Sequence, residues 1–460
     1  EFSGRIHAGI ATTKGANQPS YQIDGAINVP IAQDVAGLRV VALHQYDAGF
    51  ITRRVGPVGG PTIDIRNVAR IQTDGVSAAL TIKPFDGFSI TPRVMYQEPR
   101  MNGYPFSDVA TAGQAPVILK PTSLVQRRLF DVPESSKDRW VLGSLEMRLE
   151  QPFGTFTSST SLFSRRTSDV DDQTDFVAAA FGISPIPTSI EVRNQNDTFT
   201  QELRFSSSFG GPFQFVSGLY YAEGKFHFKY PPNIVPGLDD AVGGVLGTDL
   251  LYVADTASKQ TEKAIYTEAN LEVFRGFTVT AGLRAFDINT RSSRTADGIA
   301  NGGLVVIPAS TSHERGVNPK FGLKFQMNPD TQIFATAAKG YRVGGVNVQI
   351  PAAFGCQEEL AELGQTNASV GTYKSDSVWS YEFGIKSRPL GQVLTLNATA
   401  FQINWDDIQQ LVRLQCGFGY RGNAGRARSR GFEVEANVRP LEGLSIDLGL
   451  GYTDAKFTET

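Results

Sequence analysis

Apolar and polar residues alternate along most of this chain with a period of two. Between residues 141 and 150, apolar Leu145 and Met147 alternate with charged Glu146 and Arg148. The same alternation recurs around residues 21–31, 76–83, 199–205, 262–273, 320–326, 379–386, 432–439 and 444–453. This period is typical of β-strands whose two faces meet different environments. Helical periodicity nowhere exceeds one or two turns, so the pattern predicts an all-β chain.

The connections between these strands are of two kinds. Short turns rich in Gly, Pro, Asn and Asp, as expected for hairpins, occur at 33–37, 84–87, 152–154, 210–212, 274–276, 327–330, 389–391 and 440–443. Long irregular segments separate them, around residues 48–65, 98–137, 171–196, 231–257, 293–314, 346–376 and 411–427. Because the two kinds alternate, the sequence predicts an antiparallel meander with all short turns at one end and all long loops at the other.

A soluble β-sandwich also alternates, and three observations favour a membrane barrel instead. Many strands reach about ten residues, the length that crosses a bilayer at a tilt. Aromatic residues such as Tyr96, Trp140 and Phe153 lie near strand ends, as in an interfacial girdle. The polar face carries more charge than a dry core tolerates. We therefore predict one domain over residues 1–460, a transmembrane antiparallel up-and-down β-barrel of about 17 strands with short periplasmic turns and long extracellular loops.

Composition narrows the function. The 460 residues are 41% hydrophobic and 19% charged, and the net charge is -3, which argues against disorder and against a nucleic-acid partner. No run approaches the roughly 20 apolar residues of a spanning helix. The four histidines are scattered without metal-ligand spacing, and Walker and Gly-x-Ser-x-Gly patterns are absent. We predict neither an enzyme nor a resident metal or cofactor.

Four segments, in this order, resemble the barrel of the TonB-dependent outer-membrane receptors: 339–347 (KGYRVGGVN), 379–386 (WSYEFGIK), 396–409 (LNATAFQINWDDIQ) and 422–435 (GNAGRARSRGFEVE). Such barrels have 22 strands around an N-terminal plug domain that carries the TonB box. The segment resembling the first barrel strand begins at Phe2. The resemblance therefore implies that the plug and about five C-terminal strands lie outside residues 1–460.

The resemblance implies active uptake of a scarce, bulky nutrient, most often a ferric siderophore or similar chelate, across the outer membrane of a Gram-negative bacterium. The implied partners are outer-membrane lipid and lipopolysaccharide, the receptor's own plug, the TonB–ExbB–ExbD complex acting through that plug, and a possible surface lipoprotein. Two alternatives stay open from the sequence: a passive diffusion porin, or a barrel subunit of a larger surface assembly.

Candidate ligand contacts lie at the long-loop end. They are Tyr341, Arg342, Asn347, Tyr420, Arg421, Arg426 and Arg428, with Arg430 beside them. Arginines in outward loops attract an anionic chelate, and they also pair with lipopolysaccharide phosphates or acidic loops. Polar wall residues such as Glu202, Glu262 and Arg284 are expected to face water or the plug, and the sequence assigns none of them to a ligand.

The two cysteines lie in neighbouring long loops. Cys356 and Cys416 fall in the loops that meet where the strands around 376–388 and 392–410 pair. An oxidising exterior permits a disulfide between them. We predict a bond that joins the two loops and has no redox-catalytic role, since no C-x-x-C is present.

Overall fold

A computed structural model describes residues 2–106, 124–347, 349–350, 355–391 and 393–459. Most of these residues form one antiparallel sheet of 17 strands. Strands are numbered β1 to β24 in chain order, and those of the large sheet are β1 (Ser3–Ala11), β2 (Ser20–Ala32), β3 (Ala36–Asp47), β6 (Arg70–Phe85), β7 (Phe88–Asn102), β9 (Ser135–Gln151), β10 (Gly154–Asp172), β11 (Ser189–Ser207), β12 (Phe213–Ile234), β13 (Leu250–Phe274), β14 (Phe277–Asp297), β15 (Val305–Asn328), β16 (Thr331–Arg342), β19 (Asp376–Ser387), β20 (Leu394–Asp406), β23 (Arg426–Leu441) and β24 (Leu444–Glu459).

Each strand of the large sheet pairs with the next one along the chain, so the predicted meander is confirmed. Every predicted short turn joins two paired strands at one end of the sheet. Among the described residues, β1 pairs only with β2 and β24 only with β23, so these strands lie at the sheet edges.

The strand register divides the side chains into two faces. Cross-strand neighbours Phe383, Ala400 and Phe432 share one face, together with exposed apolar residues such as Ile265 and Leu219. We call this apolar side the outer face, because in a barrel it meets lipid. Glu382, Thr399 and Glu433 each precede or follow one of these residues, so they project from the opposite side, which we call the lumen face. The predicted apolar-outside, polar-inside alternation is therefore confirmed.

The strands are longer than the sequence indicates. The loop expected over 231–257 is confined between the ends of β12 at Ile234 and of β13 at Leu250. β13 has 25 residues, more than twice the roughly 9–11 that a membrane-crossing strand needs. Beyond the membrane both faces of a hairpin meet water, so polar residues occupy both and the alternation that reveals strands is lost.

The long connections contain short elements of their own. Where the structure describes these connections, small sheets are formed by β4 (Ile51–Val55), β5 (Ile63–Val68) and β8 (Val125–Arg128), by β17 (Gly345–Val346) and β18 (Thr372–Tyr373), and by β21 (Gln409–Arg413) and β22 (Gly419–Asn423). The described residues also form the α-helices α1 (Thr174–Phe181), α2 (Leu238–Ala241) and α3 (Cys356–Glu362), and a 3₁₀ turn spans Ile299–Asn301. In the described parts of the chain, no helix combines the length and the apolarity required to cross a bilayer.

Candidate ligand-binding site

The long loops after β16 and β20 pack into one unit with its own apolar core. This unit, the loop cap, comprises β17, β18, α3, β21 and β22. Its core consists of Ile350, Cys356, Leu360, Val370, Leu414 and Tyr420. Burial of these side chains gives the two loops a defined structure, because the apolar area removed from water offsets the entropy lost on ordering.

Covalent and polar bonds join the two halves of the loop cap. Cys356 and Cys416 form a disulfide across a sequence separation of 60, which confirms the predicted bond. One turn along α3, Glu359 accepts hydrogen bonds from the backbone N–H groups of Gln415 (2.7 Å) and Cys416 (3.2 Å). The helix and the β21–β22 connection are therefore fixed together at one point.

Asn347 bridges the same two loops further on. Its amide donates to the carbonyls of Val370 (2.7 Å) and Arg421 (2.6 Å), and its oxygen accepts from the backbone N–H of Arg421 (2.8 Å). The side chain thus satisfies backbone groups on both loops, as strand pairing would.

Asp376 connects the loop cap to the barrel wall. Only 1% exposed, its carboxylate accepts hydrogen bonds from Arg342, from the indole N–H of Trp405 (3.0 Å) and from the backbone N–H of Gln409 (3.2 Å). The guanidinium of Arg342 also lies 5.5 Å from the ring centroid of Trp405. One buried carboxylate therefore joins four strands: β16 and β20 at their ends, and β19 and β21 at their starts.

The wall opens beside this point. β15 and β16 pair only as far as Lys320 and Ala338, whereas β15 continues beside β14 to Val305. A cleft of about 480 Å³ follows, with Lys339, Tyr373 and Lys374 among its lining residues. Glu314 closes its far side by accepting from Ser375 and from the backbone N–H of Gly344 (3.3 Å).

A cluster of aromatic and charged side chains lies on the lumen face next to this cleft. This lumen cluster consists of Glu202, Tyr220, Glu262, Tyr266, Arg284 and Phe286. Arg284 donates to Glu262 (2.7 Å) and its guanidinium lies 5.1 Å from the ring centroid of Tyr220. Tyr266 donates to Glu202.

Glycines on the neighbouring strands make this arrangement possible. Gly316 is opposite Phe286 and Gly218 is opposite Tyr266. A Cβ at either glycine would lie about 2.4–2.5 Å from the facing ring. The two rings lie flat across β15 and β12 because these positions have no side chain.

Tyr341 joins the loop side to the lumen cluster. Its ring stacks on Phe286, with centroids 4.0 Å apart and planes inclined by 5°. Its hydroxyl donates to Glu262 (3.3 Å). Of the residues predicted to contact a ligand, Tyr341 is the one that the structure brings to this cluster.

The structure separates the other predicted contacts. Arg342 is bound by Asp376, Asn347 by loop backbone, and Tyr420 is buried in the loop-cap core. Arg421 is exposed beside Asn347. Arg426, Arg428 and Arg430 alternate in step with Phe432 on the outer face of β23, where Arg426 pairs with Asp406 and Arg430 with Asp454. Ligand contact by these residues stays a prediction.

Two features of the site are invisible to sequence reasoning. Asp376 lies just before the 379–386 motif, but no local pattern distinguishes it from the many acids in the long loops. Phe286 and Tyr341 are 55 positions apart, and their stacking depends on where β15 and β16 diverge. The signal that the sequence gives for the lumen cluster is the placement of Glu262, Tyr266 and Glu268 on one face of a single strand.

Two further loop units complete this end of the molecule. The loops around α1, α2 and the 3₁₀ turn share a core of Val177, Val235, Leu238 and Leu251. In the β4–β5–β8 sheet, buried Arg53 donates to Gln126 (3.0 Å), the Val132 carbonyl (3.2 Å) and Glu134. Among the described residues no group of three or more His, Cys, Asp or Glu is placed to bind a metal ion.

The wall consists of long antiparallel strands with an apolar outer face and a polar lumen face, and packed loops lie at one end. These features together define an outer-membrane receptor barrel. Residues 98–460 match the family model described as TonB dependent receptor-like, beta-barrel. The chain belongs to this family, and its members are outer-membrane proteins, as the sequence predicts.

Solved structures of similar fold agree with the barrel fold of this family. The ferric yersiniabactin uptake receptor FyuA from Yersinia pestis has a TM-score of 0.75 at 15% identity and aligns with 99% of this chain and 62% of its own. The siderophore receptor PiuA from Acinetobacter baumannii has a TM-score of 0.69 at 14% identity and aligns with 100% of this chain and 64% of its own. At such identities the likeness shows the fold, and this chain spans about three-fifths of each receptor.

A curated relative matches in sequence over a shorter stretch. The metal-pseudopaline receptor CntO of Pseudomonas aeruginosa is 25% identical over 159 residues, which are 35% of this chain and 20% of that receptor.

Proposed function

We propose that this barrel serves active, TonB-dependent uptake of a metal chelate, a ferric siderophore or a similar complex. Two relatives are named as a ferric yersiniabactin uptake receptor and a metal-pseudopaline receptor, and these names support a complexed metal as the class of cargo. The transport partners that we propose are the plug domain inside the lumen and the TonB–ExbB–ExbD complex that acts on it.

The observation that carries the proposal is the lumen cluster with Tyr341. It offers aromatic faces, phenolic hydroxyls and the guanidinium of Arg284 within one patch on the lumen face. Metal chelators commonly carry aryl rings and carboxylates, which such groups bind by stacking and by charge-assisted hydrogen bonds. We propose that the chelate contacts Tyr341 and Arg284 after passing the loop cap, with Arg421 exposed on its path.

Uptake by cells producing the full-length receptor tests the proposal. A panel of radiolabelled ferric chelates is supplied with and without a functional TonB, and accumulation in the periplasm is measured. We expect saturable uptake of at least one chelate that disappears without TonB. Uptake that continues without TonB and rises linearly with concentration would instead indicate a diffusion porin.

A pair of arginine variants tests the site. Arg284→Gln removes the cation from the lumen cluster, whereas Arg165→Gln removes a lumen-face cation that pairs with Asp138 elsewhere on the wall. We expect Arg284→Gln to weaken chelate binding about tenfold, the value of one charge-assisted hydrogen bond. Equal affinities for both variants would reject the lumen cluster as the binding site while leaving the uptake result unaffected.

A further inference from the structure

The cleft beside the loop cap is bounded by the backbone edge of a strand. Beyond Lys320, β15 leaves β16 and pairs on one side only, with β14. Seven consecutive residues of β15, 312–318, line the cleft of about 480 Å³, and six consecutive residues, 372–377, line it as well. Side chains of a strand alternate between its two faces, so an unbroken run of lining residues means that the strand's edge faces the cleft.

A proline explains why β15 and β16 stop pairing at this point. Pro319 follows the last paired residue and has no N–H to donate. The ladder with β14 continues past it, where Pro319 lies opposite Leu283. Proline fits a sheet where its nitrogen faces away from the intact ladder, so Pro319 faces the side that β16 leaves. Because backbone groups alternate in direction along a strand, the N–H and C=O groups of His313, Arg315 and Val317 face the cleft too.

This edge of β15 is free. The cleft-facing backbone groups have no hydrogen-bond partner among the described residues. The loop cap contacts this stretch through the side chain of Glu314, which accepts from the backbone N–H of Ser375 (2.8 Å) and leaves the backbone edge open. A free edge is a template for another extended chain, and proteins block edges with proline where pairing is unwanted. Pro308 and Pro319 thus confine the available edge to residues 309–318, which contain no proline.

The cleft also has unpaired positive charge. Lys339 and Lys374 line it, and neither side chain has an ion-pair or hydrogen-bond partner in the part of the chain that the structure describes. Glu314 is occupied by the Ser375 hydroxyl and by backbone N–H groups. The other charged residues at the cleft are paired: Asp376 with Arg342, and Arg315 and His313 with Asp287. Two lysines are therefore available to acidic side chains.

We propose that the cleft binds an extended acidic segment of another polypeptide, which adds to β15 as a further strand. The free backbone groups of His313, Arg315 and Val317 pair with the backbone of the segment and supply affinity. Lys339 and Lys374 attract the carboxylates on its alternate residues and supply specificity. Arg284 is not among the described residues that line this cleft, so the inference does not rest on the proposed uptake.

Fluorescence anisotropy with the full-length receptor in detergent tests this proposal. The probe is a fluorescent octapeptide of alternating Thr and Glu with both termini blocked, as in the interior of a longer chain. One control peptide alternates Thr and Lys. The other is the Thr–Glu peptide methylated at every backbone nitrogen, which keeps the acidic side chains and cannot donate to a strand. We expect the acidic probe to bind at least about tenfold more tightly than either control, because each control loses several favourable contacts.

Two variants of His313 separate backbone pairing from side-chain contact. His313→Pro removes the N–H that faces the cleft, whereas His313→Gln keeps it and removes only the imidazole. We expect His313→Pro to bind the acidic probe about tenfold more weakly, the effect of a lost hydrogen bond and a blocked edge, and His313→Gln to bind as the wild type. Heat-modifiable migration of each variant on a gel verifies folding. Equal affinities of the two variants would overturn the pairing with β15.

A pair of lysine variants tests the charge. Lys339→Gln/Lys374→Gln should bind the acidic probe about tenfold more weakly, the effect of two exposed ion pairs. Lys225→Gln/Lys259→Gln is the control, because these lysines pair with Glu223 on the outer face of β12 and β13, and wild-type binding is expected. An equal loss in both double variants, or equally tight binding of the Thr–Lys peptide, overturns the assignment to an acidic segment. Equally tight binding of the methylated peptide overturns strand addition.

Discussion

The guanidinium of Arg342 binds the buried carboxylate of Asp376 where the barrel wall ends and the loop cap begins. Both residues belong to strands of the large sheet, yet the same carboxylate also accepts from Trp405 and from the first residue of β21. Order in the loop cap therefore depends on the geometry of the wall beneath it.

Asp376→Ala is expected to loosen the loop cap and leave the wall intact. Trp405 and Gln409 lose a buried acceptor, and Arg342, which is half-exposed, turns to water. We expect a local loss of about 2–3 kcal/mol. Hydrogen exchange should show faster exchange over 408–423 with unchanged protection of β19 and β20.

Asp330→Ala provides the control for that experiment. Asp330 in the β15–β16 turn pairs with Arg388 in the β19–β20 turn, and both side chains are exposed at the opposite end of the wall. Exposed pairs of this kind contribute about 0–1 kcal/mol, so exchange in the loop cap should not change. Faster exchange throughout the sheet of the Asp376 variant would show that the residue supports the wall instead of the cap.

Removal of the disulfide should loosen the connection between the two halves of the loop cap. Closing a loop of this length stabilises the folded state by about 4 kcal/mol in the chain-entropy account. We expect the Cys356→Ala/Cys416→Ala variant to be cut by thermolysin within the loop cap at least tenfold faster, with the wall still resistant. Equal cleavage rates with and without the bond would show that the apolar core alone maintains the cap.

Glu134→Gln is expected to unfold the small β4–β5–β8 sheet locally. Glu134 is fully buried and pairs with both Arg53 and Arg128. Removing one charge from a buried network costs about 3–5 kcal/mol, because the remaining charge is left uncompensated. We expect hydrogen exchange to show that the amides of β4 and β5 lose their protection.

The same small sheet contains a matched exposed pair. Arg54 and Asp64 form two hydrogen bonds of 2.7 and 2.8 Å in contact with solvent. Asp64→Asn should therefore cost under about 1 kcal/mol. If Asp64→Asn cost as much stability as Glu134→Gln, burial would not explain why the two ion pairs differ in strength.

Sequence patterns were sufficient to predict the strand order and the two faces of the wall. They were insufficient to predict the contacts of the candidate ligand-binding site. Alternation such as Leu145 with Glu146 is local, and hairpin turns depend on a few residues, so strand order and facing follow from the chain itself. The same alternation places Arg426 and Arg428 in step with Phe432, on the outer face. The contact of Phe286 with Tyr341 has no local signature, because it depends on where two long strands part.

Gly316→Ala should disturb the lumen cluster from a strand that contributes no side chain to it. The new methyl group would lie 2.4 Å from the Phe286 ring, which must move and carry the stacked Tyr341 with it. Overpacking of this kind costs about 1–3 kcal/mol. We expect altered near-ultraviolet circular dichroism and weaker chelate binding. Gly224→Ala, whose nearest neighbour would be the Thr198 hydroxyl at 3.7 Å, should change neither.

Acid is expected to open the loop between β12 and β13 at Asp249. Its carboxylate accepts from the backbone N–H groups of Asp239 (2.9 Å) and Gly237 (3.0 Å), and these bonds lower the pKa of Asp249 below its ordinary 3.8. Because the folded-state pKa is depressed, the stabilisation is fully present above about pH 4–5 and is lost as pH falls through the folded-state pKa. Hydrogen-exchange protection of the Gly237 and Asp239 amides, corrected for intrinsic rates, should be constant from pH 7 to 5 and fall below pH 3.8.

Two variants separate this effect from general acid unfolding. Asp249→Ala removes the acceptor, so protection of both amides should be low and independent of pH across the range. Asp240→Ala changes a neighbouring acid in α2 whose carboxylate makes no hydrogen bond among the described residues, so the wild-type profile should persist. Full protection of Gly237 and Asp239 in the wild type at pH 2.5, with the strands still protected, would show that the carboxylate does not organise this loop.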